Sequence, residues 1–149
     1  MSSYKSIVVG TDGSETSLRA VERASKIAAD SDARLLIVSG YEPEPKESLK
    51  QGADALRGDA YMVVGSAPAE YVLRDASERA HSAGAANVET LAVQSAPVEA
   101  LNRAVAESDA DLLVVGNVGL NTLSGRILGS VPQNVARKSG IDVLIVHTS

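Results

Sequence analysis

The chain has no cysteine, no phenylalanine and no tryptophan. Without cysteine there is no disulfide, no thiolate metal site and no cysteine nucleophile. With aromatics at only 3%, the core has to be built from aliphatic side chains. No uncharged apolar run approaches the roughly 20 residues that a membrane-spanning helix needs. Met1-Ser2-Ser3-Tyr4-Lys5 lacks the apolar centre of a secretory signal, so a cytoplasmic location is expected. Basic residues are outnumbered, and the formal net charge is −5 at pH 7. A nucleic-acid binder would show a basic patch with stacking aromatics, and neither is visible. The expectation is therefore no nucleic acid and no membrane partner. Any anion must be held by local backbone donors.

What is present suits a globular domain. The 149 residues are 44% hydrophobic and 22% charged, and one domain over residues 1–149 can bury a sizeable core. Strand-like runs alternate with helical patterns. The strands are Ser6-Ile7-Val8-Val9-Gly10, Leu35-Leu36-Ile37-Val38, residues 87–93, residues 111–115 and Ile141-Asp142-Val143-Leu144-Ile145-Val146. Ser14 is placed to cap a first helix whose apolar face carries Leu18, Val21, Ala24, Ile27 and Ala28. Ser66-Ala67-Pro68-Ala69-Glu70 and Ser95-Ala96-Pro97-Val98-Glu99 read as two further helix starts, with serine capping, proline in the first turn and glutamate facing the dipole. Helical spacing follows through Val72, Leu73, Ala76 and Ala80, and through Leu101, Val105 and Ala106. A last helix is expected over 130–139. Continuous apolar strands alternating with helices predict a doubly wound parallel α/β sheet, covered by helices on both faces. Between 41 and 65, Glu42-Pro43-Glu44-Pro45-Lys46-Glu47 is too charged and proline-bearing for the core, and a short helix is expected at 48–56. A connection of this length from 41 to 65 is expected to be a functional flap or partly disordered.

The chemistry concentrates at two strand ends. Leu112-Leu113-Val114-Val115 runs into Gly116-Asn117-Val118-Gly119, and Gly129-Ser130-Val131 follows. Paired glycines after a buried strand let the backbone approach a phosphate, and a helix opening at Ser130 aims N–H groups at it. The other strand end is Gly10-Thr11-Asp12-Gly13-Ser14. In open α/β sheets, ligands bind beyond the carboxyl ends of strands where the winding reverses. If the first and fourth strands are neighbours, the two loops converge. Asp12 then faces a ribose hydroxyl or an adenine amine, backbone groups near Gly40 meet the base, and Gly116, Gly119, Gly129 and Ser130 cradle phosphate.

The pattern Gly116-x2-Gly119-x9-Gly129-Ser130, with Gly10-Thr11-Asp12-Gly13-Ser14 behind the first strand, resembles the universal stress protein family over nearly the whole chain. The resemblance implies a five-stranded sheet in the order 3-2-1-4-5, a dimer through the last strand, and the ATP-binding branch of the family. Two positions depart from it. Val131 stands where asparagine is common, and Ser95-Ala96-Pro97 lacks a glycine typical before the proline.

Plainer roles stand beside these. Asp12-Gly13 is also a common turn pair, and the three glycines also suit tight turns. Arg126 either reaches a phosphate or is a solvated loop residue, and Ser130 caps its helix whether or not it touches a ligand. Tyr41 and Tyr61 either stack on a base or pack the long loop. His81 is expected at the surface and His147 at the surface or an interface, with no metal or triad spacing around them.

There is no Gly-Lys-Ser/Thr phosphate loop, so no lysine and no Mg-binding hydroxyl stands in the usual place. A binding or sensing module is expected, with slow ATP hydrolysis at most. The ligand is an adenine nucleotide: ATP, with or without Mg, or AMP or cyclic AMP. The single charge of a cyclic monophosphate suits a cradle without lysine. The alternatives are a nucleotide-independent dimeric interaction protein and a weak ATPase. The uncharged run Val143-Leu144-Ile145-Val146 is expected either to pair two copies at the sheet edge or to lie inside the sheet.

Overall fold

The computed structural model describes residues 4–42, 66–117 and 140–148. Five strands, β1 (Ser6–Gly10), β2 (Arg34–Tyr41), β3 (Asn87–Gln94), β4 (Leu112–Gly116) and β5 (Asp142–Val146), form one parallel sheet in the order β3-β2-β1-β4-β5. The described helices are α1 (Glu15–Ser31), α2 (Ser66–Ser82) and α3 (Pro97–Ser108).

Both faces of the inner strands are buried, which is why they show no alternation in sequence. Ile7, Val9, Leu35, Ile37, Leu112 and Val114 pack beneath α1 and α2, against Leu18, Val21, Ala24, Leu73 and Ala76. Val8, Val38, Leu113 and Val115 face the other way, onto Ala100, Leu101, Ala104 and Val105 of α3. Burying each large aliphatic side chain contributes about 1.5–3 kcal/mol. The alanines supply little area but let the helices approach the sheet closely. Ala106, expected on the buried face of α3, is exposed, and Ala104 takes the inward position.

Helix ends follow local chemistry. The Ser14 side chain accepts from the Ser17 N–H and caps α1, and Asp32, left-handed at φ 54°, ends it by donating to the Ala28 and Ala29 carbonyls. The expected Ser95 cap is replaced. Ala96 is the N-cap of α3 and makes no side-chain cap bond, while the Ser95 hydroxyl donates to the Ala96 carbonyl. Pro97 and Glu99 hold the first turn as expected. In α2, Ser66 is already the first helical residue, so Glu70 falls beyond the first turn.

Several strand ends differ from expectation by one to three residues, two of them for clear local reasons. β2 continues past its apolar run because Ser39, Gly40 and Tyr41 pair with Ala92, Val93 and Gln94. Asp111 lies outside β4, since its carboxylate accepts the Lys5 and Ser6 N–H groups. Among the described residues β5 forms an edge of the sheet, as the order 3-2-1-4-5 implied, and not an inner strand. The expected helices at 48–56 and 130–139, and most of the loop 41–65, lie outside the described residues. Among the described residues no helix is long and apolar enough to cross a membrane.

Candidate functional site

From β1 the chain winds outward to β2 and β3, then α3 returns it along the opposite face to β4. β1 and β4 are therefore neighbours, with Ile7 beside Leu112 and Val9 beside Val114. Their carboxyl ends, Gly10 and Gly116, lie where the winding reverses and a crevice opens.

The loop after β1 is bonded to itself. The Thr11 and Ser17 hydroxyls lie 2.8 Å apart, and the Thr11 hydroxyl accepts the Gly13 N–H at 3.1 Å. The Asp12 N–H reaches the Ser17 hydroxyl at 3.4 Å, and Asp12 Oδ1 accepts the Ser14 N–H at 2.9 Å. Gly13 sits at φ 87°, a conformation that favours glycine. Thr11 donates its own N–H to the Val38 carbonyl at 2.9 Å, which ties the loop to β2. The N–H groups of residues 11 to 14 are thus all satisfied internally. The acceptor left over in the loop is the second oxygen of Asp12, which has no hydrogen-bond partner among the described residues, on a residue 8% exposed.

The end of β4 is tied to the end of β5 and to Thr148, two residues beyond it. The Asn117 N–H donates to the Val146 carbonyl at 2.7 Å, and its side-chain oxygen accepts the Thr148 N–H and hydroxyl at 2.8 and 3.1 Å. Arg19 of α1 closes the same corner by donating to the Thr148 carbonyl at 2.7 Å. A Cβ at Gly116 would stand 3.4 Å from the Thr148 methyl group, ordinary contact, and the backbone there has no positive φ. Gly40 is different. A Cβ there would come within 2.8 Å of the Ser95 carbonyl oxygen, so close packing of the β3–α3 turn requires this glycine. At Gly10 the near atom is a Leu101 methyl at 2.9 Å.

The structure thus brings Gly10, Thr11 and Asp12 together with Gly116 and Asn117, and places Gly40 one strand away. Gly119, Arg126, Gly129, Ser130, Val131 and Tyr61 lie outside the described residues. Sequence reading missed Ser17, Thr148 and Arg19. The Gly13 turn was visible in the Asp-Gly pair, but nothing local marks Thr148 or Arg19. His81 is exposed with Nδ1 near the Ala85 carbonyl, and His147 is exposed. Among the described residues no group of three His, Cys, Asp or Glu could hold a metal ion. Ser39, at the end of β2, keeps a fully buried hydroxyl without a hydrogen-bond partner.

The sequence profile of the Universal stress protein family matches residues 3–147. Universal stress protein Rv1636 of Mycobacterium tuberculosis strain H37Rv is 55% identical over 149 residues, all of both chains. The crystal structure of a universal stress protein in complex with cAMP is 50% identical and superposes with a TM-score of 0.75, over 99% of this chain and 100% of that one. The universal stress protein from Archaeoglobus fulgidus in complex with dAMP shares the fold at 20% identity, with a TM-score of 0.68 over 95% of this chain and 97% of that one. On the family match and the full-length identity, this chain belongs to the universal stress protein family.

Proposed function

We propose that this protein binds an adenine nucleotide in the crevice between the β1 and β4 ends and works as a binding or sensing module. The observation that carries this reading is the complementary character of the two ends. The loop after β1 has satisfied its donors and presents the Asp12 carboxylate, which suits ribose hydroxyls or the adenine amine. The phosphate then belongs on the β4 side, with Gly116 and Asn117 leading into Gly119, Arg126, Gly129, Ser130 and Val131. The relative bound to cAMP, at 50% identity over the full chain, supports the same class of ligand.

A nucleotide with few charges suits this site best. The described residues at both strand ends include no lysine, and Arg19 is already bonded to the Thr148 carbonyl. A triphosphate carries about four charges and calls for cations or Mg²⁺, whereas a cyclic monophosphate needs only a few backbone donors. Calorimetric titration with cAMP, AMP and ATP–Mg is expected to rank cAMP first. Loss of affinity in Gly119→Ala, with the melting temperature held, places the phosphate as proposed. No binding of any of the three nucleotides ends the reading.

The apolar β5 at the sheet edge, with Ile145 36% exposed, supports a homodimer through Ile141-Asp142-Val143-Leu144-Ile145-Val146. Light scattering is expected to give twice the chain mass, and Ile145→Lys should give the chain mass alone. A monomer for the parent protein at every concentration removes the proposal.

A further inference from the structure

The edge of the sheet opposite β5 has the parts of a peptide-docking site. β3 spans eight residues, and among the described residues no strand lies on its outer side. Its sequence, Asn-Val-Glu-Thr-Leu-Ala-Val-Gln, contains no proline and no lysine, the usual means of blunting an edge. Its single charge, Glu89, is turned to a neighbour, 3.8 Å from Arg34 of β2. Among the described residues, therefore, no other strand pairs with the outer backbone groups of β3.

A groove runs along this edge on each face of the sheet. Leu91 and Val93 line one with Arg103, Ala106 and Glu107 of α3, and its volume is about 480 Å³. Thr90 and Ala92 line the other with Glu70, Leu73, Arg74, Ser77 and Glu78 of α2, again about 480 Å³. Side chains of an extended strand point alternately to the two faces, so one added strand would fill both grooves at once.

The grooves differ in charge. On the α3 side Arg103 is paired with Glu107 at 3.8 Å, leaving aliphatic surface from Leu91, Val93 and Ala106. On the α2 side Glu70 and Glu78 are exposed and have no ion-pair partner among the described residues. Arg74 lines the same groove but lies over the Tyr71 ring, 5.9 Å from its centre, so two glutamates stand there against one cation. A second copy is a poor occupant. Pairing β3 with β3 about a twofold axis normal to the sheet would set both copies' Glu70 and Glu78 on the same face, and like charges oppose it.

We propose that the outer edge of β3 docks an extended peptide segment whose side chains are apolar toward α3 and lysine- or arginine-bearing toward α2. Main-chain bonds to β3 supply affinity, and the two grooves supply direction and choice. This surface is separate from the nucleotide crevice and does not depend on it.

The test uses a labelled eight-residue peptide of alternating valine and lysine, followed by fluorescence anisotropy at low salt and by amide exchange on the full chain. Binding is expected with slowed exchange across 87–94. Methylating alternate peptide nitrogens, which blocks strand pairing, should weaken it at least about tenfold. The protein variant E70K/E78K, unchanged in melting temperature, should weaken it to a similar degree, about tenfold, and an alternating valine–glutamate peptide should not bind the parent. Equal binding by the methylated peptide, protection outside β3, or no binding by the valine–lysine peptide overturns the proposal. So does protection of β3 by self-association without peptide.

Discussion

The amino and carboxyl ends of the sheet each set an aspartate against backbone N–H groups, and they use it differently. At the amino end the Asp111 carboxylate accepts from Lys5 at 3.0 Å and from Ser6 at 3.0 Å, through different oxygens. Around it, Arg34 donates to the Ser108 carbonyl at 2.7 Å, and the Tyr4 hydroxyl donates to Asp142 at 3.0 Å. That end is sewn shut. At the carboxyl end Asp12 accepts one N–H through one oxygen, inside a loop whose own donors are already taken. An aspartate saturated by backbone holds strands together; one left half-used at a crevice can recognise a ligand. The chemistry of the residue is the same, and the difference lies in what its neighbours leave unsatisfied.

Asp12→Ala is the strongest test of that contrast. Removing a charged acceptor from a ligand hydrogen bond costs about 1.5–3 kcal/mol, so nucleotide affinity should fall roughly 10- to 150-fold. Thermal unfolding should change little, because only the Ser14 N–H loses a partner within the fold. A variant that binds cAMP as tightly as the parent would make Asp12 a turn residue and nothing more.

Two glycines sharpen the carboxyl end. Gly40→Ala drives a Cβ against the Ser95 carbonyl oxygen, which is backbone and cannot swing away. Overpacking of this kind should lower unfolding free energy by about 1–3 kcal/mol. Gly116→Ala meets only a methyl group at ordinary contact distance, and its stability should stay within about 1 kcal/mol of the parent. Denaturant titration separates the two. If they are equally destabilised, the packing distinction drawn between these strand ends is lost.

Asp111→Ala belongs to the closed end and should behave as the inverse of Asp12→Ala. Losing its charged bonds to partly exposed N–H groups should cost about 1–2 kcal/mol of stability and leave nucleotide affinity unchanged. Calorimetry beside urea unfolding reads both quantities. A fall in affinity without loss of stability would blur the division between the two ends.

The same contrast explains what could be seen in the sequence. β1 and the middle of β2 and β4 were legible because strands buried on both faces are unbroken apolar runs. The edge position of β5 followed from the family resemblance alone, since Asp-Val-Leu-Ile-Val has the composition of an inner strand. The loop 10–14 was legible because its chemistry is local: threonine, aspartate, glycine and serine bonding within a few residues. Thr148 and Arg19 were not, because they meet across 129 positions and neither carries a motif. Backbone groups near Gly40 are expected from sequence to meet a base. The steric requirement at Gly40 comes from the Ser95 carbonyl, and only the placement of α3 reveals it. Asn117 was grouped with the phosphate cradle, and its side-chain oxygen also proves to strap the end of β5.

The smallest expected effect lies at the closed end, in the bond from Tyr4 to Asp142. Hydrogen bonding to Asp142, first, then desolvation and the charges of Asp142 and Asp111, raise the Tyr4 pKa above its ordinary value of 10.0. The protonated phenol is the donor, so its contribution should be complete below pH 10 and fade as pH rises through the higher folded value. Melting temperatures of the parent and Tyr4→Phe should differ by a small constant below pH 10 and converge above it. The nucleotide crevice should not register the substitution, because the phenol is bonded at the opposite end of the sheet. A gap that widens with alkaline pH would mean that the ionised phenol is the stabilising form, contrary to the direction in which its neighbours push it.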